Sequence, residues 1–276
     1  MANEKATEAW NGEGGQRWAD EADRYDTLLQ RYTPRLMAGA ALRPGERVLD
    51  LGCGCGQTSL VAAATVGESG QVTGVDISGP MLATARGRAD GQRNVTFRQA
   101  DVQQDDLGEG AYDIAISRFG VMFFDDPDTA FTRVHRALAP GGRLAFACWR
   151  DPSGSEYYQV PRDAIAPYTA PDEPEEPGAP GPHSLADPDR VRTLLSGAGF
   201  TDIALEPVDE SAVSGTNAED AAAFRLTSPS FAALLKDASQ EDRSKAAAAL
   251  RTALTPYETP NGVLLRAPAW VVTAHR

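Results

Sequence analysis

The sequence predicts an α/β protein whose central sheet is mostly parallel, and three observations lead to that fold class. Strand-like and helix-like runs alternate through the first half of the chain. The first strand-like run passes directly into a glycine-rich turn, VLDLGCGCG at residues 48–56, as a strand does when it leads into a crossover helix. A proline-glycine turn, APGG at residues 139–142, separates the last helix of this half from another strand. Helices must then cover both faces of the sheet.

Local signals predict each element in order. The polar N-terminal stretch is helical to about Leu42, where an Arg43-Pro44-Gly45 turn ends it. Short runs rich in apolar and β-branched residues predict strands at 47–51, 71–76, 95–100, 112–117 and 143–149. Helices are expected at 57–64, 80–89 and 128–138. The second of these begins at Pro80, because proline suits the first turn of a helix.

The second half of the chain begins with an interruption. Residues 167–182, PYTAPDEPEEPGAPGP, contain six prolines and four acids, so they predict a loop or a boundary. A helix at 187–198 opens on Asp187-Pro188, and a strand is expected at 200–208. Alanine-rich helices should extend to about Leu254, followed by one last strand from Gly262 to about Ala274.

Composition narrows the partners. The 276 residues carry a net charge of −13, which argues against a nucleic acid or an anionic membrane as partner. No run approaches the ~20 apolar residues of a membrane span, and the N-terminal residues lack the apolar core of a secretory signal. Three cysteines cannot supply a disulfide framework or a four-ligand zinc site. We therefore expect a cytoplasmic protein without a bound metal.

The glycine-rich turn indicates a ligand site. Glycines at 52, 54 and 56 permit positive φ angles and close approach of a ligand to backbone amides at the carboxyl end of the strand. The dinucleotide pattern GxGxxG would require glycine at position 57, where Gln57 stands. Asp76 ends the next strand, in VTGVDIS, where an acid can accept both hydroxyls of a ribose. Asp101 ends the third strand, in FRQAD. The alternative is a tight strand–helix turn without a ligand.

Together with YDIAISRFGVMFF and LAPGGRLAFACW, these motifs resemble the seven-stranded (class I) S-adenosylmethionine-dependent methyltransferases over residues 45–150. The segments WNGEGGQRW, LADPDRVRTLLSGAGF and GVLLRAPAWVVTAHR resemble a bacterial subgroup rich in small-molecule and natural-product enzymes. The resemblance implies a Rossmann-like sheet of order 3-2-1-4-5-7-6 with strand seven antiparallel. It also implies an N-terminal helical cap at 1–42 and a methyltransferase domain at 43–276, in which 150–190 and 215–255 contribute a substrate-side cap.

By resemblance, the cofactor S-adenosylmethionine and its product S-adenosylhomocysteine would lie against twelve residues. Asp50 would serve the methionine end, Asp76 the ribose and Asp101 the adenine amino group. Each acid has a simpler alternative: Asp50 caps loop amides, Asp76 caps the helix near Pro80, and Asp101 is a turn acid. The predicted cofactor residues are Asp50, Gly52, Cys53, Gly54, Gly56, Asp76, Ile77, Met81, Asp101, Val102, Ser117 and Phe119.

Aromatic residues in the segments that can reach over the strand ends predict the acceptor side. The predicted substrate-binding residues are Trp10, Trp18, Trp149, Tyr157 and Phe224. Trp18, Tyr25 and Tyr32 are spaced seven apart, which predicts one helical face. Tyr25 and His183 are the candidate catalytic residues. An imidazole with a reference pKa near ~6.5 could take a proton from the acceptor, although an exposed loop histidine is the favoured interpretation of His183.

The predicted activity is methyl transfer from S-adenosylmethionine to a small, aromatic or polycyclic metabolite, at carbon, nitrogen or oxygen. Two alternatives remain at this stage: a non-catalytic S-adenosylmethionine-binding protein, and an NAD-dependent oxidoreductase. The predicted partner is the small-molecule acceptor, with neither nucleic acid nor membrane, and a homodimer is left open.

Overall fold

The computed structural model of the chain describes residues 3–169 and 178–276. A seven-stranded sheet forms its centre. Its strands are β1 (Arg47–Leu51), β2 (Gln71–Asp76), β3 (Val95–Gln99), β4 (Tyr112–Arg118), β5 (Leu138–Trp149), β6 (Thr201–Val208) and β10 (Ala269–His275). Their order is β3-β2-β1-β4-β5-β10-β6, and β10 runs antiparallel to both neighbours. The predicted order and the antiparallel seventh strand are confirmed.

Helices cover both faces of the sheet. They are α1 (Glu4–Asn11), α2 (Glu13–Asp20), α3 (Ala22–Leu29), α4 (Tyr32–Ala40), α5 (Gln57–Val66), α6 (Gly79–Arg88), α7 (Pro127–Ala137), α8 (Glu156–Ile165), α9 (Pro188–Gly197), α10 (Ala218–Leu226), α11 (Pro229–Leu234) and α12 (Gln240–Leu254). None of these described helices combines the length and the apolarity that crossing a membrane requires.

Alternating strand residues build the two cores. Val48 and Ile114 pack with α4 and α5 on one face, whereas Leu49, Ala115 and Leu144 pack with α7 and α9 on the other. All five side chains are buried, as period-two strands between two helical layers require. Both faces of the sheet are therefore covered by packed helices, and its strand ends stay open at one edge.

A second, smaller sheet lies outside this frame. It consists of β7 (Ser211–Gly215), β8 (Glu258–Thr259) and β9 (Gly262–Arg266) in the order β7-β9-β8, and it shares a hydrophobic cluster with α8, α10, α11 and α12. The prediction of one strand from Gly262 to about Ala274 was wrong. The chain leaves the small sheet after Arg266 and enters the large one at Ala269, and Pro268, which has no N–H to donate, stands at the break.

Two other boundaries differ from the sequence-based expectation. The N-terminal stretch forms four short helices, so Trp18, Tyr25 and Tyr32 lie on α2, α3 and α4 instead of on one helical face. Strand β5 begins at Leu138 and not at residue 143, because the turn glycines are taken up as an irregularity in its pairing with β4. The predicted proline-rich loop at 167–182 falls partly on residues 170–177, which lie outside the described residues.

Candidate active site

A cavity opens at the carboxyl ends of the first four strands, beneath the N-terminal helices. In a parallel sheet of this type, ligands bind at this edge. The predicted residues that line the cavity are Trp10, Trp18, Tyr25, Gly52, Cys53, Gly54, Asp76, Ile77, Met81, Asp101, Val102 and Phe119. The predicted residues that do not line it are Asp50, Gly56, Ser117, Trp149, Tyr157, His183 and Phe224.

The glycine loop forms the floor of the cavity. Gly52 and Gly54 have φ angles of 63° and 53°, in the left-handed region that favours glycine. A Cβ atom on Gly52 would lie 3.0 Å from the Cα of Gly120, and one on Gly54 would lie 2.8 Å from the Cε of Met81. Gly56 has a different role: it is the N-cap of α5, and a Cβ there would meet Phe97 and α6.

The carboxylate of Asp76 holds two loops together. One oxygen accepts a hydrogen bond from the amide of Gly54 at 2.8 Å, and the other accepts one from the amide of Ser78, also at 2.8 Å. Burial raises the pKa of this carboxyl, and the backbone hydrogen bonds oppose that rise. The N-cap of α6 is Ser78 and not Asp76. Asp76 instead joins the loop after β2 to the glycine loop beside the cavity.

Asp101 lies at the end of β3 within a dense set of donors. Its carboxylate accepts hydrogen bonds from the Gln103 amide, the Gln103 and Gln104 side chains and the Nδ2 of Asn3, at distances of 2.7 to 3.2 Å. Burial raises the pKa of Asp101, but these hydrogen bonds outweigh it, and the pKa lies below its usual value. The residue is thus a carboxylate at neutral pH.

Asp50 and Ser117 support the loop from behind. The Oδ2 of Asp50 accepts a hydrogen bond of 2.6 Å from Ser59, and burial raises the pKa of Asp50 to about 7. The Ser117 hydroxyl donates to the carbonyl of Leu51 at 2.7 Å and accepts from the amide of Gly120. Neither side chain reaches the cavity lining, so these contacts show a supporting role, and direct cofactor contact stays a prediction.

Two aromatic groups enclose the cavity. The first comes from the N-terminal helices: Trp18 stacks on Tyr25 with ring centroids 3.6 Å apart, and Trp10 packs edge-on against both Trp18 and Phe123. Arg17 donates a hydrogen bond to the Tyr25 hydroxyl at 3.3 Å. Burial raises the pKa of Tyr25, although Arg17 opposes the rise, so the phenol is neutral at physiological pH.

The second aromatic group is centred on Phe119, which follows β4. Phe119 has a φ of 63°, a strained backbone conformation for a residue with a side chain, and its ring stacks on Trp149 with centroids 3.9 Å apart. Tyr32 packs edge-on against both rings, and Tyr157 stacks on Trp149 with centroids 6.1 Å apart. Only Phe119 of these four reaches the cavity, so substrate binding by Trp149 and Tyr157 stays a prediction.

His183 and Phe224 lie away from the cavity. The imidazole of His183 packs edge-on against Tyr158, with centroids 4.7 Å apart. Phe224 packs against Tyr25 from outside the lining, with the guanidinium groups of Arg17 and Arg24 over its ring. His183 therefore does not line the cavity, and its role as a base stays a prediction without geometric support.

Sequence reasoning missed a charged network in the cavity wall. Arg118 pairs with Asp26 of α3 at 3.1 Å and donates to the side-chain oxygen of Gln57 at 2.7 Å; Arg88 also pairs with Asp26. Asn3, on the adenine-binding side that the resemblance implies, was missed as well. The residues around Asp26, in YDTLL, give no indication that it pairs with Arg118 and Arg88. Within the described residues, no cluster of three His, Cys, Asp or Glu could hold a metal ion.

Comparison with known proteins supports the same interpretation of the strand ends. Residues 48–142 match the model of a methyltransferase domain family. An arsenite methyltransferase of Halobacterium salinarum is 31% identical over 202 residues, which cover 70% of this chain and 46% of that protein. An aklanonic acid methyltransferase of a Streptomyces species is 34% identical over 137 residues, which cover 48% of this chain and 62% of that protein.

A solved structure extends the similarity to almost the whole chain. Phosphoethanolamine N-methyltransferase 2 of Haemonchus contortus, in complex with S-adenosyl-L-methionine, superposes with a TM-score of 0.58 at 18% identity. The superposition covers 98% of this chain and 59% of that one. The aligned segments cover 46%, 62% and 59% of the length of these three proteins. At 18% identity, the structural likeness shows the fold of the chain alone.

Proposed function

Because the chain belongs to the seven-stranded, class I methyltransferase family, we propose that it transfers a methyl group from S-adenosylmethionine to a small aromatic or polycyclic metabolite. The observation that carries the proposal is the division of the cavity into two halves. The floor is formed by bare glycine backbone and two carboxylates, Asp76 and Asp101, whereas the cover is formed by Trp10, Trp18 and Tyr25. One half suits a nucleoside, and the other suits a flat apolar acceptor.

The residues present fit this cofactor. Gly52 and Gly54 leave the loop without side chains where a Cβ would crowd neighbouring atoms, and Asp76 fixes the loop from its far side. Asp76 would accept from the ribose hydroxyls, and Asp101 would bind at the adenine end. When bound, S-adenosylmethionine supplies a methyl group already activated by its sulfonium sulfur. The chain then has to hold the acceptor in line and keep water away.

Orientation is the main contribution of the protein. Holding two reactants in the right geometry can lower a barrier by roughly 7–11 kcal/mol. The stacked rings of Trp18 and Tyr25 provide a rigid aromatic surface for that purpose. The neutral Tyr25 phenol can orient the acceptor through a hydrogen bond, whereas its raised pKa makes it a poor base at neutral pH.

Two measurements test the proposal. Titration calorimetry should detect binding of S-adenosylhomocysteine and no comparable binding of NAD, because Gln57 replaces the glycine that a dinucleotide loop requires. A panel of flat aromatic phenols, amines and quinones with methyl-labelled cofactor should then yield a labelled product. Cofactor binding without turnover across the panel would favour a non-catalytic binding protein, and tight NAD binding would favour an oxidoreductase.

A further inference from the structure

Two rows of aromatic side chains lead from the cavity to the same helix. The first row runs from Tyr25, which lines the cavity, to Phe224 of α10, with ring centroids 5.4 Å apart. The second row runs from Phe119, which also lines the cavity, through Trp149 to Tyr157 of α8, with centroids 3.9 Å and then 6.1 Å apart. Phe224, Trp149 and Tyr157 are half-buried, so their side chains stay partly accessible outside the cavity lining.

Each row ends at an arginine. The guanidinium of Arg17 lies over the ring of Phe224, 4.8 Å from its centroid, and donates to the Phe224 carbonyl at 3.0 Å. The guanidinium of Arg225 lies over the ring of Tyr157, 4.0 Å from its centroid, and donates to the Tyr157 carbonyl at 2.5 Å. The two rows therefore converge on consecutive residues of α10, Phe224 and Arg225.

The two rows also lie near each other. Burial is the main cause of the raised pKa of Tyr25, and the nearby Tyr157 adds to that rise. The ends of the rows thus belong to one surface at the edge of the cover, which consists of Arg17, Phe224, Arg225 and Tyr157. We call this surface the arginine rim.

The arginine rim carries positive charge without a counter-charge. A third arginine, Arg24, also lies over Phe224, but it pairs with Asp220 at 2.7 Å. Among the described residues, Arg17 and Arg225 contact carbonyls, aromatic rings and a phenol, and neither pairs with a carboxylate. Both are half-buried in a chain whose net charge is −13. A guanidinium in this state can bind an anionic oxygen through charge-assisted hydrogen bonds.

We propose that the methyl acceptor is an anionic aromatic molecule, whose rings lie against Tyr25 in the cavity and whose anionic oxygen is bound by Arg17 and Arg225 at the arginine rim. This inference rests on the proposed methyl transfer and deepens it, because it adds a charge to the flat acceptor. The anion serves recognition, so the atom that receives the methyl group is a different one, on the part of the molecule inside the cavity. A neutral molecule of the same shape lacks the charged contact and binds more weakly.

The test compares two fluorescent probes of the same shape on protein saturated with S-adenosylhomocysteine. The probes are anthracene-2-carboxylate and its neutral amide, anthracene-2-carboxamide, and fluorescence anisotropy measures both dissociation constants. We expect the wild type to bind the carboxylate about tenfold more tightly than the amide, because hydrogen bonds to charged groups are stronger than those between neutral groups. Arg17→Gln and Arg225→Gln should each reduce this preference, and the double variant should abolish it without weakening amide binding.

Arg251→Gln is the matched control. It removes the same charge from α12, where Arg251 pairs with Glu219 at 3.0 Å, and the preference for the carboxylate should persist. Equal loss of the preference in Arg251→Gln would assign it to the net charge of the chain and overturn the inference.

Three further outcomes also contradict the inference. A wild type that binds both probes equally, or neither of them, has no anionic acceptor site at the arginine rim. Arginine variants that lose both probes to the same extent would show a structural role for Arg17 and Arg225. These results leave the proposed methyl transfer intact, whereas a wild type that fails to bind S-adenosylhomocysteine would refute the proposed cofactor, and this inference with it.

Discussion

The two halves of the cavity are held in place by contacts of very different sequence separation. On the floor, Asp76 bonds to the amide of Ser78, two residues away, and to that of Gly54, 22 residues away. The N-terminal helices that carry the cover are held by distant contacts. Arg17 donates to the carbonyl of Phe224, 207 residues away, and Tyr32 donates to that of Ala267, 235 residues away. The floor is thus built by neighbouring strand ends, while the cover depends on the completed fold.

This contrast predicts that one substitution can break the ion pairs that connect the N-terminal helices to the sheet. Asp26 of α3 pairs with Arg118 after β4 and with Arg88 of α6. The Arg118 side chain is 9% exposed, so Asp26→Asn would leave a buried guanidinium without its counter-charge. We expect a loss of about 3 kcal/mol in the free energy of unfolding, measured by urea denaturation.

A surface pair serves as the control for this prediction. Glu241 and Lys245 pair on exposed turns of α12, and Glu241→Gln should cost less than about 0.5 kcal/mol. Equal effects of the two substitutions would mean that the Asp26 network does not join the cover to the sheet.

Among the residues of the floor, we expect substitution of Gly54 to reduce cofactor affinity most. In Gly54→Val, the side chain would crowd Met81 from a backbone φ of 53° that a β-branched residue rarely adopts. We expect affinity for S-adenosylhomocysteine to fall by about a hundredfold, from the combined loss of space and of loop geometry. Titration calorimetry measures the change directly.

Gly67 provides a control that separates the effect of backbone strain from the effect of lost space for the ligand. It also has a positive φ, 69°, but a Cβ there would have no neighbour within 4 Å, and it lies at the end of α5 outside the cavity lining. Gly67→Val should reduce stability and leave cofactor affinity unchanged. A comparable loss of binding in Gly67→Val would attribute the Gly54 effect to strain alone.

The sequence predicted correctly those elements whose conformation is determined by residues close together in the chain. The glycine loop between β1 and α5 could be predicted because a strand end, its turn and the next helix are neighbours in the chain. The strand order followed from the family resemblance, and the ribose role of Asp76 stays a prediction. The sequence-based prediction failed where contacts between residues far apart in the chain determine the structure. The last strand breaks at Pro268 to serve two sheets, and Trp18 and Tyr25 stack from two different helices. Asn3 was missed because its hydrogen-bond partner, Asp101, is 98 residues away in the chain.

The cover should act on the acceptor and not on the cofactor. Tyr25→Phe keeps the ring stacked on Trp18 and removes the hydroxyl that Arg17 contacts. We expect kcat to fall roughly tenfold while affinity for S-adenosylhomocysteine is unchanged. Tyr32→Phe is the matched control, because its hydroxyl donates to the carbonyl of Ala267 and the residue does not line the cavity. If the Tyr32 variant lost as much activity as the Tyr25 variant, the Tyr25 hydroxyl would have no special role.

The smallest expected effect concerns the support behind the floor. Burial raises the pKa of Asp50 to about 7, because desolvation outweighs the hydrogen bond from Ser59 and the attraction of Arg118. In the unfolded chain the carboxyl titrates near pH ~4, so its stabilising contribution is complete below that value and is lost as the pH rises through about 7. The free energy of unfolding should therefore fall by about 1 kcal/mol between pH ~6 and pH ~8, and Asp50→Asn should remove this fall.

Asp113, whose pKa is lowered by its hydrogen bond with Arg47, provides a control, since Asp113→Asn should leave the slope in that range as it is. Parallel stability curves for the wild type and Asp50→Asn would show that Asp50 is ionised throughout.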